Sequence, residues 1–174
     1  MVRALLTFGP VFCLLLGCGY KLGARGLALA GVRTVHVPAL ANDTKEPGIH
    51  HLFTRALREE LAARARLKLA PAGAADVIAV GRVKAYTRTG MAFPVSNPGG
   101  PPRVGEFRAV AVGEVLFKRR ADGKVLFSTG DIAVTGELLI GPDVIGSETN
   151  RERVTRQLAA DFARRATELI ADSF

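Results

Sequence analysis

The sequence is poor in the residues from which sites of covalent or metal chemistry are usually built. It contains two cysteines and three histidines among 174 residues. Two of the histidines, His50 and His51, are adjacent, so on a helix their directions differ by about 100° and they suit a shared metal badly. The chain has no G-x-S-x-G nucleophile motif and no phosphate-binding loop of the G-x-x-x-x-G-K-[ST] type. We therefore expect no metal or cofactor, and the motifs give an enzymatic function no support.

Acidic residues are absent from the start of the chain, where the first one is Asp43. Residues 1–17 carry one charge, Arg3, which a short apolar run follows. The uncharged stretch ends at Lys21, so it falls short of the roughly 20 apolar residues that a transmembrane helix needs. A basic start, a short apolar core and small residues near its end are typical of a secretory signal peptide. Residues 1–17 are therefore predicted to be a cleaved signal.

A cysteine follows this segment directly, in the stretch Leu15-Leu16-Gly17-Cys18. The stretch resembles the bacterial lipobox, in which cleavage precedes the cysteine and its thiol receives a diacylglyceryl group. The new amine is usually acylated as well, as with palmitate, and more than one acyl chain makes an anchor stable. Cys18 is therefore predicted to be the lipidation site, and residues 18–31 a lipidated tether. Gly19 rather than Asp after the cysteine favours the outer membrane, by resemblance to the sorting rule of enteric bacteria.

The charge balance is strongly basic, with a formal net charge of +8 and a pI of about 10.2. Such a surface attracts polyanions, which include nucleic acid, anionic lipid and phosphorylated glycolipid. A lipoprotein outside the cytoplasm does not usually meet nucleic acid. The basic charge is therefore expected to serve another anionic partner.

The rest of the chain, residues 32–174, is predicted to form a single α+β domain. The expected order is β-α-β-β-β-α, with one mixed or antiparallel sheet of four to five strands and two helices on one face. Asp122-Gly123 between apolar runs predicts a hairpin turn, and Thr149-x-x-Glu152 fits a capping box at the start of the last helix. Alternating or β-branched runs place strands at residues 32–38, 66–70, 76–88, 107–119 and 125–139. Amphipathic periodicity places helices at residues 48–66 and from Thr149 onward.

Strand alternation predicts a cationic sheet face. Side chains of one parity in the two long strands are apolar or small and are expected beneath the helices. The other parity contains Arg82, Lys84, Tyr86 and Arg88 in one strand, and Arg108, Glu114, Lys118 and Arg120 in the next. This open face could bind phosphate groups through charge-assisted hydrogen bonds, or it could simply be a solvated sheet surface.

Several motifs in this order resemble the LptE family of lipopolysaccharide-assembly lipoproteins. They are the lipobox with Gly19-Tyr20-Lys21-Leu22, Val35-His-Val-Pro38, Ala41-Asn-Asp-Thr44, the helix from Gly48 to Leu61, and Glu148-Thr-Asn150 before the final helix. No single motif is decisive, and the resemblance covers nearly the whole mature chain. The loop at residues 89–106 is longer than the family leads us to expect.

The resemblance implies a protein that is not an enzyme and that plugs the lumen of the outer-membrane β-barrel LptD, helping it to assemble. It also implies contact with lipopolysaccharide, with the domain facing the periplasm or lying inside the barrel. Strand alternation, not the family, selects the predicted phosphate contacts, which are Arg82, Lys84, Arg88, Lys118 and Arg120.

Two alternatives remain open from the sequence. One is a regulatory outer-membrane lipoprotein of a cell-wall synthase or a secretion channel, as in the LpoB and CsgG-like families, which also begin with a lipobox. The other, ranked last, is a membrane-anchored hydrolase.

Overall fold

Two helices and seven strands make up the segments that the structure, a computed structural model, describes: residues 31–64, 67–91, 106–139 and 144–172. The predicted signal peptide, Cys18 and nearly all of the tether lie outside the described residues, as does most of the loop at 89–106. In chain order the elements are β1 (Thr34–His36), β2 (Ala41–Asn42), α1 (Ile49–Arg64), β3 (Lys68–Leu69), β4 (Val77–Met91), β5 (Glu106–Arg119), β6 (Val125–Ser128), β7 (Ile132–Leu139) and α2 (Val144–Asp172).

All seven strands belong to one mixed sheet with the order β3-β1-β4-β5-β6, in which β2 also pairs with β4 and β7 with β5. The pairs of β1 with β3, β1 with β4 and β2 with β4 are parallel. The pairs of β4 with β5, and of β5 with β6 and β7, are antiparallel. This confirms the predicted α+β class. The strand count exceeds the expected four or five because the last predicted strand is divided into β6 and β7, and because β2 is very short.

The turn between β5 and β6 follows the prediction made from Asp122-Gly123. Gly123 has a φ of 69°, which a residue without Cβ adopts at little cost. The carboxylate of Asp122 accepts a hydrogen bond from the backbone N–H of Lys124 at 3.1 Å and one from Arg119 at 2.9 Å. The turn therefore sets the register in which β6 returns along β5.

Both helices pack on the same face of the sheet, as predicted. From α1 the side chains of Phe53, Leu57 and Leu61 are fully buried, and from α2 those of Leu158, Phe162 and Ile170. They meet the inward side chains of the long strands, which include Val77, Ala79, Val83, Ala109, Ala111, Val115 and Phe117. Within the described residues no element covers the opposite face, so the domain has two layers and an open sheet face.

The helix layer approaches the sheet closely where a strand residue lacks a side chain. A Cβ added at Gly113 would lie 2.9 Å from the ring of Phe162 and 2.8 Å from the carbonyl oxygen of Arg82. Phe162 in turn packs against Phe53 of α1, with ring centroids 5.3 Å apart. Gly113 therefore admits the aromatic pair that joins both helices to the middle of the sheet.

The last helix differs from the prediction in where it begins. It starts at Val144, so Thr149 lies inside the helix and not at its end. The capping-box prediction is therefore wrong. A cap is needed only where the first N–H groups of a helix lack partners, and five helical residues already precede Thr149.

We predict that Gly113→Ala lowers the free energy of unfolding by about 1–3 kcal/mol, the usual cost of overpacking a core. The added methyl would meet backbone on one side and Phe162 on the other. Urea denaturation measures the effect. Gly73→Ala is the matched control, since a Cβ there meets nothing within 4 Å. Equal stability of Gly113→Ala and the wild type would contradict the close approach of Phe162.

One carboxylate reinforces the parallel pairing of β1 with β4. Asp76 Oδ2 accepts hydrogen bonds from the backbone N–H groups of Arg33 and Thr34, both at 3.0 Å, and from the Thr34 hydroxyl at 2.8 Å. These bonds, led by the one from the Arg33 N–H, lower the pKa of Asp76. Because the charged form is the better acceptor of all three bonds, ionisation of this carboxyl group strengthens the contact of β1 with β4.

The lowered pKa predicts a pH dependence of folding. Asp76 contributes stability above its unfolded pKa of about 4, and this contribution is lost as pH falls through the lower folded pKa. The difference in unfolding free energy between the wild type and Asp76→Asn should therefore shrink as pH falls below about 4, toward the lower folded pKa. Denaturation at a series of pH values measures it, with Glu59→Gln on the exposed face of α1 as control. A difference that stays constant with pH would contradict the role given to Asp76.

Candidate functional site

The open face of the sheet is shaped by an irregularity in β4. Val83 is paired with Gly113, but the next pair is Ala85 with Val112, so Lys84 is an extra residue in the ladder. A β-bulge of this kind inverts the alternation of side chains beyond it. Side chains before Lys84 keep the predicted facing, and those after it change sides.

Tyr86 and Arg88 consequently lie on the helix side, and their predicted place on the open face is wrong. The Tyr86 hydroxyl lies 3.3 Å from the hydroxyl of Thr155 in α2. The guanidinium of Arg88 lies 5.8 Å from the centre of the Tyr86 ring and 3.6 Å from the carboxylate of Glu46. Glu46 also pairs with Arg151 of α2. Arg88 thus joins β4 to the loop before α1, and Glu46 joins that loop to α2.

Arg82 and Lys84 lie on the open face, where both are paired with carboxylates. The Lys84 ammonium is 2.6 Å from Asp131 and 2.8 Å from Glu114. The Arg82 guanidinium is 3.4 Å from Glu114 and 3.4 Å from Asp43. We call these five residues the ion-pair cluster. Its formal charge is −1, from two cations and three carboxylates, so this part of the face is not strongly cationic.

Hydrogen bonds from Lys84 to Asp131 first and to Glu114 second raise the pKa of Lys84. The lysine is therefore held in its charged form. Strand alternation had already placed Glu114 on this face, but Asp43 and Asp131 lie in loops, where no periodicity assigns a direction. Only the folded arrangement of four segments brings this cluster together.

The two remaining predicted residues lie toward the other end of the same face. Lys118 is the ladder partner of Ile78, and within the described residues it makes no ion pair. The Arg120 side chain donates from Nε to the carbonyl oxygen of Ala75 at 2.8 Å, close to Asp76. Among the predicted phosphate contacts, Lys118 is therefore the one whose charge has no ion-pair partner among the described residues. Arg120 partly supports the turn beside β4.

An apolar strip separates these cations from the ion-pair cluster, and the sequence reasoning did not single it out. Val80 and Leu116 are ladder partners, as are Ile78 and Lys118. Lys118 is in turn paired with Val125, which is 48% exposed, and Val80 is 37% exposed. The open face therefore offers both charged and apolar contacts.

In the described segments, no group of three or more His, Cys, Asp or Glu side chains is arranged so that it could bind a metal ion. The rings of His50 and His51 do lie 4.0 Å apart at the start of α1, closer than their helical directions suggest. Among the helices that are described, none is both long and apolar enough to cross a membrane.

The fold and the site define a class: a two-layer α+β domain with its helices on one face and a mixed charged and apolar surface on the other. Two lipoproteins are among the solved structures that share this fold. The domain is similar to a putative lipoprotein from Caulobacter crescentus, with 14% identity, a TM-score of 0.56, and coverage of 83% of this chain and 92% of that chain. It is also similar to the uncharacterized lipoprotein B from Nitrosomonas europaea, with 15% identity, a TM-score of 0.51, and coverage of 80% and 83%.

At these identities the structural likeness concerns the fold alone, and no curated protein matches the chain. A match to a protein family goes beyond the fold: the family described as "LptE: Lipopolysaccharide-assembly" matches residues 32–172. The chain belongs to the LptE family, which confirms the resemblance drawn from its motifs. This is a family of outer-membrane lipoproteins with a role in lipopolysaccharide assembly and no enzymatic role.

We predict that Asp131→Asn lowers the pKa of Lys84, because the substitution removes the strongest of its charged partners. NMR titration of the Lys84 side chain measures the change. Glu114→Gln is expected to act in the same direction and less strongly. Asp122→Asn, which removes a carboxylate from the distant β5–β6 turn, serves as the control. A Lys84 pKa that is the same in Asp131→Asn and the wild type would contradict the contact.

Proposed function

We propose that the protein is an outer-membrane lipoprotein, anchored through acyl chains on Cys18 after removal of residues 1–17, that plugs an LptD-type β-barrel and assists its assembly. The observation that carries the proposal is the family match over residues 32–172. In this proposal the domain of residues 32–174 faces the periplasm or lies in the barrel lumen. Its role is to place lipopolysaccharide, and it performs no catalysis.

We further propose that the open sheet face contacts lipopolysaccharide. Arg82, Lys84, Lys118 and Arg120 would bind phosphate groups, since guanidinium and ammonium groups form strong charge-assisted hydrogen bonds with them. The apolar strip that includes Val80 and Leu116 supports contact with the lipid part of the same molecule. Arg88 belongs to the other side of the sheet, so any contact it makes would be separate from this surface.

Binding of a phosphate group at the ion-pair cluster costs free energy, because existing ion pairs must be broken. A phosphate that binds Lys84 must replace Asp131 or Glu114 as its partner, and a phosphate that binds Arg82 must replace Glu114 or Asp43. A solvent-exposed ion pair is worth only about 0–1 kcal/mol. The replacement is therefore feasible for a ligand that brings two or more negative charges to the face at once.

The first experiment is affinity purification of the lipidated protein from its own outer membrane, followed by mass spectrometry of the bound proteins. We expect an LptD-type barrel at close to one copy per copy of the protein, because a plug occupies one lumen. Lipid attached at Cys18 is expected in the same spectra. Recovery of a cell-wall synthase or secretion component without a barrel would contradict the proposal.

A second prediction concerns the open face. The double variant Arg82→Gln/Lys84→Gln should bind purified lipopolysaccharide at least about tenfold more weakly than the wild type, since hydrogen bonds to charged groups contribute about 1.5–3 kcal/mol each. Arg156→Gln is the matched control, because it removes an exposed Arg–Glu pair from α2. Unchanged affinity in a folded double variant would remove Arg82 and Lys84 from the contact surface.

A further inference from the structure

Within the described residues, the strand β7 has a long backbone edge without a partner. It pairs on one side with β5, and no backbone hydrogen bond joins its other side to any described residue. Its eight residues give an edge roughly 27 Å long. On the opposite side of the sheet the edge strands β3 and β2 have only two residues each. An unpaired edge of this length is a template for another strand.

The backbone groups that point outward can be assigned. The C=O of Val115 accepts from the N–H of Thr129, and the N–H of Val115 donates to the hydroxyl of the same residue, so both groups point toward β6 and β7. Alternate residues of a strand direct their backbone groups to the same side. Residues of β5 with the parity of Val115 therefore bond to β7, through Ile132, Val134 and Gly136.

The intervening β7 residues Ala133, Thr135 and Glu137 therefore direct their N–H and C=O groups to the free edge. Their side chains are all exposed. Proteins usually protect such an edge with a lysine, a proline or a bulge. β7 contains no lysine or proline, and its register with β5 is unbroken from Ile132 to Leu139. Only Glu137 places a charge on the edge.

A groove of about 310 Å³ runs beside this edge, between β7 and α2. Its lining includes the edge residues Ala133 and Thr135 and charged side chains of α2. Arg164 is paired with Asp161 at 3.2 Å, whereas Arg165 and Glu168 form no ion pair with any described residue. The groove thus combines unpaired backbone with one free cation and one free carboxylate.

Within the described residues, the part of β4 beyond the bulge is a second stretch of sheet edge, but the loop before α1 contacts it. Arg88 in that stretch is paired with Glu46 in the loop before α1. The edge of β7 has no comparable contact within the described residues, which makes it the stronger docking surface.

We propose that β7 accepts, along its free edge, an extended segment of the partner barrel protein from outside its closed barrel, since the barrel strands have no unpaired edge. The partner main chain would bond to Ala133, Thr135 and Glu137, because only an extended backbone offers donors and acceptors at matching intervals along the whole edge. An acidic side chain of that segment would face Arg165 and a basic one would face Glu168. The inference rests on the proposed function for the source of the segment, and it adds the mode of recognition.

Hydrogen exchange at the resolution of single amides tests the proposal on the complex purified from the outer membrane and on the free protein. We expect the N–H groups of Ala133, Thr135 and Glu137 to exchange at least about tenfold more slowly in the complex. Those of Val134 and Gly136, already bonded to β5, should change little. A barrel that co-purifies without protecting the three outward amides would overturn this inference and leave the proposed function standing. Absence of any barrel would overturn both.

A variant tests the same edge independently. Thr135→Pro removes one outward N–H and leaves the ladder with β5 intact, since proline is tolerated on edge strands. We expect Thr135→Pro to retain the melting temperature within a few degrees and to recover at least about tenfold less barrel. Thr135→Val, which retains the N–H, measures how much of the loss belongs to the side chain.

Three outcomes count against the proposal. The first is a folded Thr135→Pro protein that recovers the barrel at the wild-type level. The second is concentration-dependent dimerisation of the free wild type in light scattering that Thr135→Pro abolishes, because the edge would then bind a second copy. The third applies if Thr135→Pro does not fold: Arg165→Glu then replaces it, and unchanged recovery of the barrel by that variant contradicts the proposed segment.

Discussion

The antiparallel pairing of β4 with β5 determines which side chains of this protein meet the helices and which remain on the open face. The pairing extends from Val77 with Arg119 to Met91 with Glu106 and contains one extra residue, Lys84. On one side of that residue the basic side chains point away from the helices, and on the other side Arg88 points toward them. The position of a single residue in the ladder therefore separates a surface that can meet a ligand from contacts that hold the domain together.

The layer packed on the sheet depends on glycines in β4, β5 and β7. A Cβ at Gly81 would lie 3.1 Å from the side chain of Leu40, and one at Gly136 would lie 3.1 Å from Val154. With Gly113 beneath Phe162, these positions let large side chains approach the backbone of three adjacent strands. Dispersion contacts at this distance are numerous, and few other residues could replace glycine without moving a helix.

The architecture was predictable from the sequence because alternation and helical periodicity are local properties. Phe53, Leu57 and Leu61 follow the period of a helix, and both long strands alternate. The bulge at Lys84 was not predictable, since the run from Val83 to Tyr86 alternates equally well without it. The ion-pair cluster escaped prediction for a different reason: Asp43, Lys84, Glu114 and Asp131 come from distant segments and meet only in the folded sheet. The start of α2 was missed because a short capping pattern also occurs inside helices.

The way the strands are joined along the chain also has a consequence for the order in which they form. From β4 onward each strand pairs with one close in sequence, so β4 to β7 and α2 can assemble through successive neighbouring contacts. The parallel contact of β1 with β4 is different, since Asp76 and Thr34 lie 42 residues apart. Closing a loop of that length costs chain entropy before the contact returns any stabilisation. The N-terminal strand β1 is therefore expected to join the sheet last and to leave it first.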